Sequence, residues 1–308
     1  MPEKLAPVSI ATSPDDLAQP LGRAFERYGF AIVRDHGIDA ELIDRAYAVS
    51  RAFFALPKTT KRRYHLPCTG GARGYTPFGV ETAKDATLAD LKEFWHVGRE
   101  LPRGHPYAAL MPPNLWPDEV PGLRETMLEL FTAFERTGAT LLSAIARYLG
   151  LAPDFFEDPV QDGNSVLRLL HYPPVGSAGG AVRSGAHEDI NTITLLLGAE
   201  EGGLELLTRE GEWLPVDPAP GELVVNIGDM LQRLTNHVLP STTHRVVNPA
   251  GERRAHSRYS MPFFLHFRPD YLIRSLPRCI SADRPNRYPQ PITADAYLRE
   301  RLREIRLA

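Results

Sequence analysis

Cysteine is scarce in this chain: Cys68 and Cys279 are the only two in 308 residues. That excludes a disulfide-stapled scaffold and suits a reducing cytoplasm. Long apolar runs are absent too. No segment approaches the 18 or so apolar residues of a membrane span, and the amino terminus lacks the basic-then-apolar pattern of a secretory signal. Charge of one sign is not in excess, since 35 Lys and Arg face 38 Asp and Glu for a net charge of -3. A general attraction to nucleic acid or to anionic membranes is therefore not expected. The glycine-rich stretch from Gly70 to Gly74 has no P-loop lysine and no helix signal after it, which argues against phosphate cradling. Internal repeats and low-complexity segments are missing, and the oligomeric state is left open.

What is present reads as a single large β core with helical additions. A short strand around residues 8–10 precedes a helix with Ser13 as N-cap and Pro14 in its first position; Pro20 is expected to interrupt its early turns. A strand at 30–33 and a helix at about 39–56 follow, and residues 65–81 look loop-like. The spacing of Leu128, Phe131, Phe134 and Leu141 predicts a long amphipathic helix over 120–150. From about 165 onward, short strands alternate with turn signals at Ala178-Gly179-Gly180, Glu201-Gly202-Gly203, Arg209-Glu210-Gly211 and residues 218–221, the pattern of a sandwich or barrel. The chain divides into regions 1–120, 121–160, 161–270 and 271–308, with a solvated helix over 293–307 at the end.

The chemistry concentrates between residues 187 and 264. His187-Glu188-Asp189 puts an imidazole and a carboxylate two apart, so in extended chain both leave on one face. The β-rich run 190–197 follows. A lone His-x-Asp is weak evidence, since about one such spacing arises by chance in a chain of this composition, and a polar turn is the alternative. His244 heads a second β-rich run. Two imidazoles and one carboxylate make the ligand set of a mononuclear non-haem iron(II) site with open coordination positions. A zinc hydrolase and a metal-free binding protein are the competing readings. His237 and His256 are read as structural or surface residues, and Asp229 as a turn acid.

Arg258-Tyr259-Ser260-Met261-Pro262-Phe263-Phe264 reads as a strand with Arg258, Ser260, Pro262 and Phe264 on one face. Tyr259, Met261, Phe263, Leu265 and Phe267 occupy the other. With both faces covered, Arg258 needs an anion, and a guanidinium grips a carboxylate bidentately. A hairpin centred on Gly251 places His244 opposite Arg258.

In combination these residues resemble the iron(II)- and 2-oxoglutarate-dependent dioxygenase superfamily, and within it the isopenicillin N synthase-type branch. The resemblance rests on His187-Glu188-Asp189, Gly202-Gly203-Leu204-Glu205-Leu206, Trp213-Leu214-Pro215-Val216 and Val225-Asn226-Ile227-Gly228-Asp229. Ser241-Thr242-Thr243-His244-Arg245-Val246-Val247-Asn248-Pro249 and the Arg258 strand complete it. In the amino-terminal half it extends to Tyr28-Gly29-Phe30, Asp35-His36-Gly37-Ile38 and Phe53-Phe54-Ala55-Leu56-Pro57. It covers roughly residues 7–270.

The resemblance implies an α+β fold: a double-stranded β-helix (jelly roll) braced by helices from the amino-terminal region and by a carboxy-terminal helix. It makes His187, Asp189 and His244 the ligands of Fe(II), and Arg258 and Ser260 the anchor of the distal carboxylate of 2-oxoglutarate. Tyr172 matches a tyrosine that bonds the same carboxylate. The chain departs from plant members at Leu170, where an Asn is common. The implied reaction consumes O2 and 2-oxoglutarate, releases succinate and CO2, and oxidises a C–H bond of a small-molecule substrate. Penicillin-forming members use the same Arg and Ser for the substrate's own carboxylate, so an oxidase independent of 2-oxoglutarate is the alternative. No catalytic group beyond the metal ligands is assigned. Substrate-wall candidates are Tyr75, Phe94, Trp95, Phe264 and Arg168, with Phe78 beside them. Tyr75 is expected on a mobile lid, and each aromatic has core packing as its alternative; for Arg168 the alternative is a structural ion pair.

Overall fold

In the computed structural model, which describes residues 5–66, 71–81, 89–175, 182–198 and 202–304, the chain opens with strand β1 (Pro7–Ser9) and helix α1 (Pro14–Tyr28). Ser13 caps that helix by accepting from the Asp16 N–H, and Gly29 closes it at φ 68°, a left-handed conformation that glycine adopts without penalty. Pro20 does not interrupt it. The proline lies on the exposed face, where the carbonyl it leaves unbonded is open to solvent rather than buried without a partner, so the helix runs through. Then come β2 (Phe30–Arg34), α2 (Ala40–Phe54) capped by Asp39, α3 (Lys58–Arg62), β3 (Gly74–Thr76) and β4 (Glu93–Gly98). Strand β3 falls within the stretch expected to be loop. The long helix is α4 (Leu123–Tyr148), followed by the short α5 (Glu157–Val160).

The second half supplies β5 (Val166–Tyr172), β6 (Ser184–His187), β7 (Ile193–Leu197), β8 (Leu204–Leu207), β9 (Trp213–Pro215) and β10 (Leu223–Ile227). After these lie α6 (Asp229–Leu234), β11 (His244–Val246), β12 (Arg258–Leu265), the small pair β13 (Leu272–Ile273) and β14 (Ile292–Thr293), and α7 (Ala294–Glu304). Cys68, Gly70, Ala178-Gly179-Gly180, Glu201 and the last residues of the expected terminal helix lie outside the described residues.

Two sheets face one another. The larger has the order β1-β2-β10-β7-β12-β5-β4-β3, so strands from the amino-terminal region complete the same sheet as those from the second half; the smaller runs β6-β11-β8-β9. This is the mixed α+β architecture of a jelly roll with a helical layer. One face of the large sheet carries Leu167, Leu169, Leu195, Met261 and Phe263, buried against α1, α2 and α4 in the main core. Its other face meets the small sheet through Phe30, Ile32 and Val224 against Leu204, Leu206 and Val246.

The expected hairpin does not form. β12 is hydrogen-bonded on both edges, by β5 and β7, while β11 pairs with β6 and β8. With both of its edges filled, β12 has none left for β11. The intervening 3-10 helix Gly251–Ala255 carries the chain from one sheet to the other, so His244 and Arg258 come from opposite layers.

Phe263 joins the large sheet to α4, with its ring stacked on Phe134 at 5.2 Å and edge-on to Phe131 at 4.9 Å. Phe263→Ala is expected to cost about 3–5 kcal/mol of stability, as for other large aromatics removed from a core. The midpoint and slope of urea denaturation measure it.

Candidate active site

His187 closes β6, His244 opens β11, and the two are directly paired across the small sheet. Their ring centroids are 4.4 Å apart. Asp189 belongs to the turn after β6, and its Oδ1 lies 3.8 Å from His187 Nε2 and 3.9 Å from His244 Nε2. One candidate ligand atom from each of the three residues falls within 4.8 Å of the others, and among the described residues these form the one such cluster.

The orientation of each donor has a local cause. His187 Nδ1 bonds the Gly185 carbonyl at 2.8 Å, and His244 Nδ1 bonds the Thr242 carbonyl at 3.1 Å. A carbonyl accepts only from N–H, so Nδ1 carries the proton in both rings and Nε2 keeps its lone pair toward the cluster. Asp189 Oδ2 accepts from Thr194 Oγ1 at 2.6 Å and from Asn226 Nδ2 at 2.8 Å, leaving Oδ1 to face the imidazoles. Burial alone raises the Asp189 pKa, but His244, His187 and the two hydrogen bonds outweigh it and hold the carboxyl below its usual range. Burial, reinforced by His244, lowers the His187 pKa to about 4. Two imidazoles and one carboxylate, each held by a second bond, are suited to a divalent iron ion.

Strand register places the carboxylate anchor. Directly opposed residues project to the same side of a sheet. Arg258 is paired with Tyr172, Ser260 with Leu170, Phe264 with Thr194 and Thr194 with Asn226. Arg258, Ser260 and Phe264 therefore share the face on which Thr194 and Asn226 hold Asp189. Arg258 is buried at 4% exposure; it donates to Ser260 Oγ at 3.1 Å and lies 5.1 Å from the Tyr172 ring. Leu170, with Phe94 and Tyr172, forms a small apolar cluster on this face.

The wall candidates split between the two faces. Phe94 is paired with Leu170, and Arg168 lies across from His96 on the same face. The Arg168 guanidinium is 4.2 Å from the Phe94 ring and 5.2 Å from Phe264. It donates to His96 at 2.6 Å and pairs with Glu81 at 3.3 Å, so ion pairing and cavity placement coexist.

Trp95 and Tyr75, paired with each other, point the other way, a correction to the expected wall. They are 1% and 3% exposed and pack on Phe53 at 4.6 and 5.8 Å. Strand alternation makes this unavoidable once Phe94 faces the site. Tyr75 is no lid: it sits on a paired strand, and its hydroxyl donates to Glu93, which is also bridged by Lys61 and His171. It opens onto a groove of about 330 Å³ shared with Lys61 and Phe78.

Four residues near the site were not picked out from the sequence. Thr194 and Asn226 are polar positions inside apolar strands, a signal that was readable. Lys92 and Glu81 gave none. Lys92 donates to Ser184 at 3.2 Å and pairs with Asp90 at 2.8 Å and Glu81 at 3.3 Å. It thereby ties the start of β4 to β6 beside His187. The expected strand 190–197 begins only at Ile193, because Asn191 bonds the Ile193 carbonyl and holds the preceding turn. His237 and His256 stand apart from the cluster, and Asp229 is the first residue of α6.

Similarity to known proteins spans both halves of the chain. Residues 4–119 match the family model described as non-haem dioxygenase in morphine synthesis N-terminal, and residues 163–267 match the 2OG-Fe(II) oxygenase superfamily. A 2-oxoglutarate-Fe(II) type oxidoreductase, hxnY of Emericella nidulans, is 35% identical over 92% of this chain and 83% of its own length. A crystal structure of a 2OG-Fe(II) oxygenase family protein from Caulobacter crescentus is 57% identical with a TM-score of 0.92, covering 98% of this chain and 99% of that one. A full-length Neurospora crassa protein, crystallised in complex with alpha-KG, is 30% identical with a TM-score of 0.86, covering 97% and 96%.

The placement of Tyr75 has a direct consequence. Tyr75→Phe is expected to lower stability by about 1.5–3 kcal/mol, the worth of a buried hydrogen bond to a charged group. Metal binding should stay at the parental level. Urea denaturation and metal titration of the same protein separate the two.

Proposed function

Because the chain belongs to the 2OG-Fe(II) oxygenase superfamily, we propose that His187, Asp189 and His244 hold its iron and that Arg258, Ser260 and Tyr172 receive its 2-oxoglutarate. The protein is an Fe(II)- and 2-oxoglutarate-dependent oxygenase acting on a small molecule. One observation carries the residue assignment: a buried guanidinium and hydroxyl share a sheet face with the side chains that aim Asp189 at two imidazoles.

Iron bound there supplies the redox chemistry that couples decarboxylation of 2-oxoglutarate, with O2, to oxidation of a substrate C–H. The protein's share is placement. Arg258 and Ser260 bind the distal carboxylate, and Tyr172 flanks it. Thr194 and Asn226 fix the metal-facing oxygen of Asp189. Arg258, Ser260, Tyr172 and Asp189 are all buried, which strengthens each of these polar contacts.

Phe94, Arg168 and Phe264 form the substrate wall in this reading, with two aromatic rings around one guanidinium on the ligand-bearing face. Such a wall suits a small, flat molecule with a hydrogen-bond acceptor. The same Neurospora crassa protein solved with alpha-KG and thymine, 29% identical with a TM-score of 0.85, supports that choice. We further read the chain as a member of the isopenicillin N synthase-type branch working in the cytoplasm. Regions 1–120, 121–160, 161–270 and 271–308 are its organisation. The paucity of cysteine favours that compartment, and no helix among the described residues is long and apolar enough to cross a membrane.

The metal assignment is tested by His187→Ala, Asp189→Ala and His244→Ala. Each is expected to lose stoichiometric Fe(II) and succinate formation while keeping the parental circular dichroism. Normal iron content in any one of them removes that residue from the ligand set.

The cosubstrate assignment is tested at the anchor. Losing one partner of a buried charge pair costs on the order of 3–5 kcal/mol, so Arg258→Ala should raise the apparent KM for 2-oxoglutarate by about two orders of magnitude or more. Ser260→Ala should have a smaller effect, about 1.5–3 kcal/mol for one bond to a charged group. Succinate release against 2-oxoglutarate concentration is the measurement. Parental KM values in both variants would hand the anchor to a substrate carboxylate instead.

A further inference from the structure

The carboxy-terminal extension reaches the metal-binding turn through α6. Backbone N–H groups of Gly228, Asp229 and Met230 donate to the carbonyls of Thr192 at 2.9 Å, Asp189 at 2.7 Å and Asn191 at 3.1 Å. The first N–H groups of a helix have no partner within it, and at α6 they are used to grip the 189–192 turn. The approach leaves no slack: a Cβ at Gly228 would lie 2.1 Å from the Asn191 carbonyl oxygen.

What fixes α6 itself comes from the other end of the chain. The Asp229 side chain is buried at 2% exposure, and Arg301 of α7 places its Nε 3.2 Å from Asp229 Oδ2. The extension also wraps the rest of α6. Leu276 N–H donates to the Leu234 carbonyl at 2.8 Å, and Arg233 lies 4.4 Å from the Tyr288 ring and 5.5 Å from Tyr297.

Building on the assignment of Asp189 as an iron ligand, we propose that Arg301 is a positioning residue for that ligand. Its ion pair holds the Asp229 carboxylate inside the protein, the start of α6 stays in place, and the α6 N–H groups set the turn that aims Asp189. Without Arg301, an uncompensated buried carboxylate pulls toward water, and the backbone bonded to Asp189 moves with it. The terminal helix is thereby part of the metal centre's support rather than a solvated appendage.

The test is Mn(II) affinity of the full-length, metal-free protein by calorimetry, with hydrogen exchange of the 188–192 segment alongside. Arg301→Ala is expected to weaken Mn(II) by about tenfold, the range for residues that support a ligand from outside, and to speed exchange in that segment. Arg301→Lys should restore most of the affinity. Arg299→Ala, which breaks an exposed pair with Asp295 on the same helix (2.9 Å), should leave it unchanged. Parental affinity in Arg301→Ala, or an equal loss in Arg299→Ala, overturns the proposal. If Arg301→Ala does not fold, Arg301→Gln removes the charge facing Asp229 while keeping most of the side chain's length; unchanged Mn(II) affinity there overturns it as well. His187→Ala separates the two levels. Parental Mn(II) binding in that variant sinks the ligand assignment, whereas loss there with an unaffected Arg301→Ala sinks only the role of Arg301.

Discussion

A carboxylate that must stay charged while buried is the constraint around which this protein is organised. Asp189 lies between two imidazoles in a layer that admits little water, and each of its oxygens has a separate task. Oδ2 is held by Thr194 and Asn226, so Oδ1 faces the histidines. Those two bonds come from adjacent strands of the large sheet, whereas the histidines come from the small one. The site therefore exists only where the two sheets close, and anything that shifts one against the other dissolves it.

The large sheet does two jobs by strand alternation. Residues at one parity, among them Phe263, Leu195, Leu169 and Trp95, pack on the helices and supply the hydrophobic stabilisation. Residues at the other parity, among them Arg258, Ser260, Thr194 and Asn226, build a polar site whose desolvation opposes folding. The helical layer offsets that cost, and this explains why so much of the amino-terminal half is spent on bracing. Tyr75 and Phe94 illustrate the division. Both are aromatic and both lie at the same sheet edge, yet one is core and the other faces the site because they differ in parity.

Charge is treated in the same manner throughout the interior. Lys61 and Lys92 are buried against carboxylates, and burial would raise the Glu81 pKa were it not outweighed by Arg168 and Lys92, which hold it low. The Lys61 pair joins α3 to β4, while Lys92, paired with Asp90 and Glu81 ahead of β4, reaches β6 through its hydrogen bond to Ser184. Such pairs add little net stability, but they penalise misplacement heavily because a broken pair leaves a bare charge inside. They act as registration marks between the helical layer, the large sheet and the small sheet.

Much of this was legible in the linear sequence. Ser13 with Pro14 marked a helix start, the leucine and phenylalanine stripe marked α4, and the alternation in 258–264 assigned both faces of β12 correctly, since period and capping are local properties. The identities of His187, Asp189, His244, Arg258 and Ser260 stood out as a chemical set for the same reason. Tertiary structure alone decided how the set converges. Local turn chemistry suggested that β11 and β12 pair, but β12 had its edges filled by β5 and β7, strands distant in sequence, and so His244 and Arg258 meet across a sandwich instead of along a hairpin. Whether Trp95 or Phe94 would face the metal depended on the register with β5, and the reach of Arg301 to Asp229 depended on how the last helix docks. Hydrogen bonding between distant strands and the burial of charge are cooperative, and no local window of residues contains the partners that settle them.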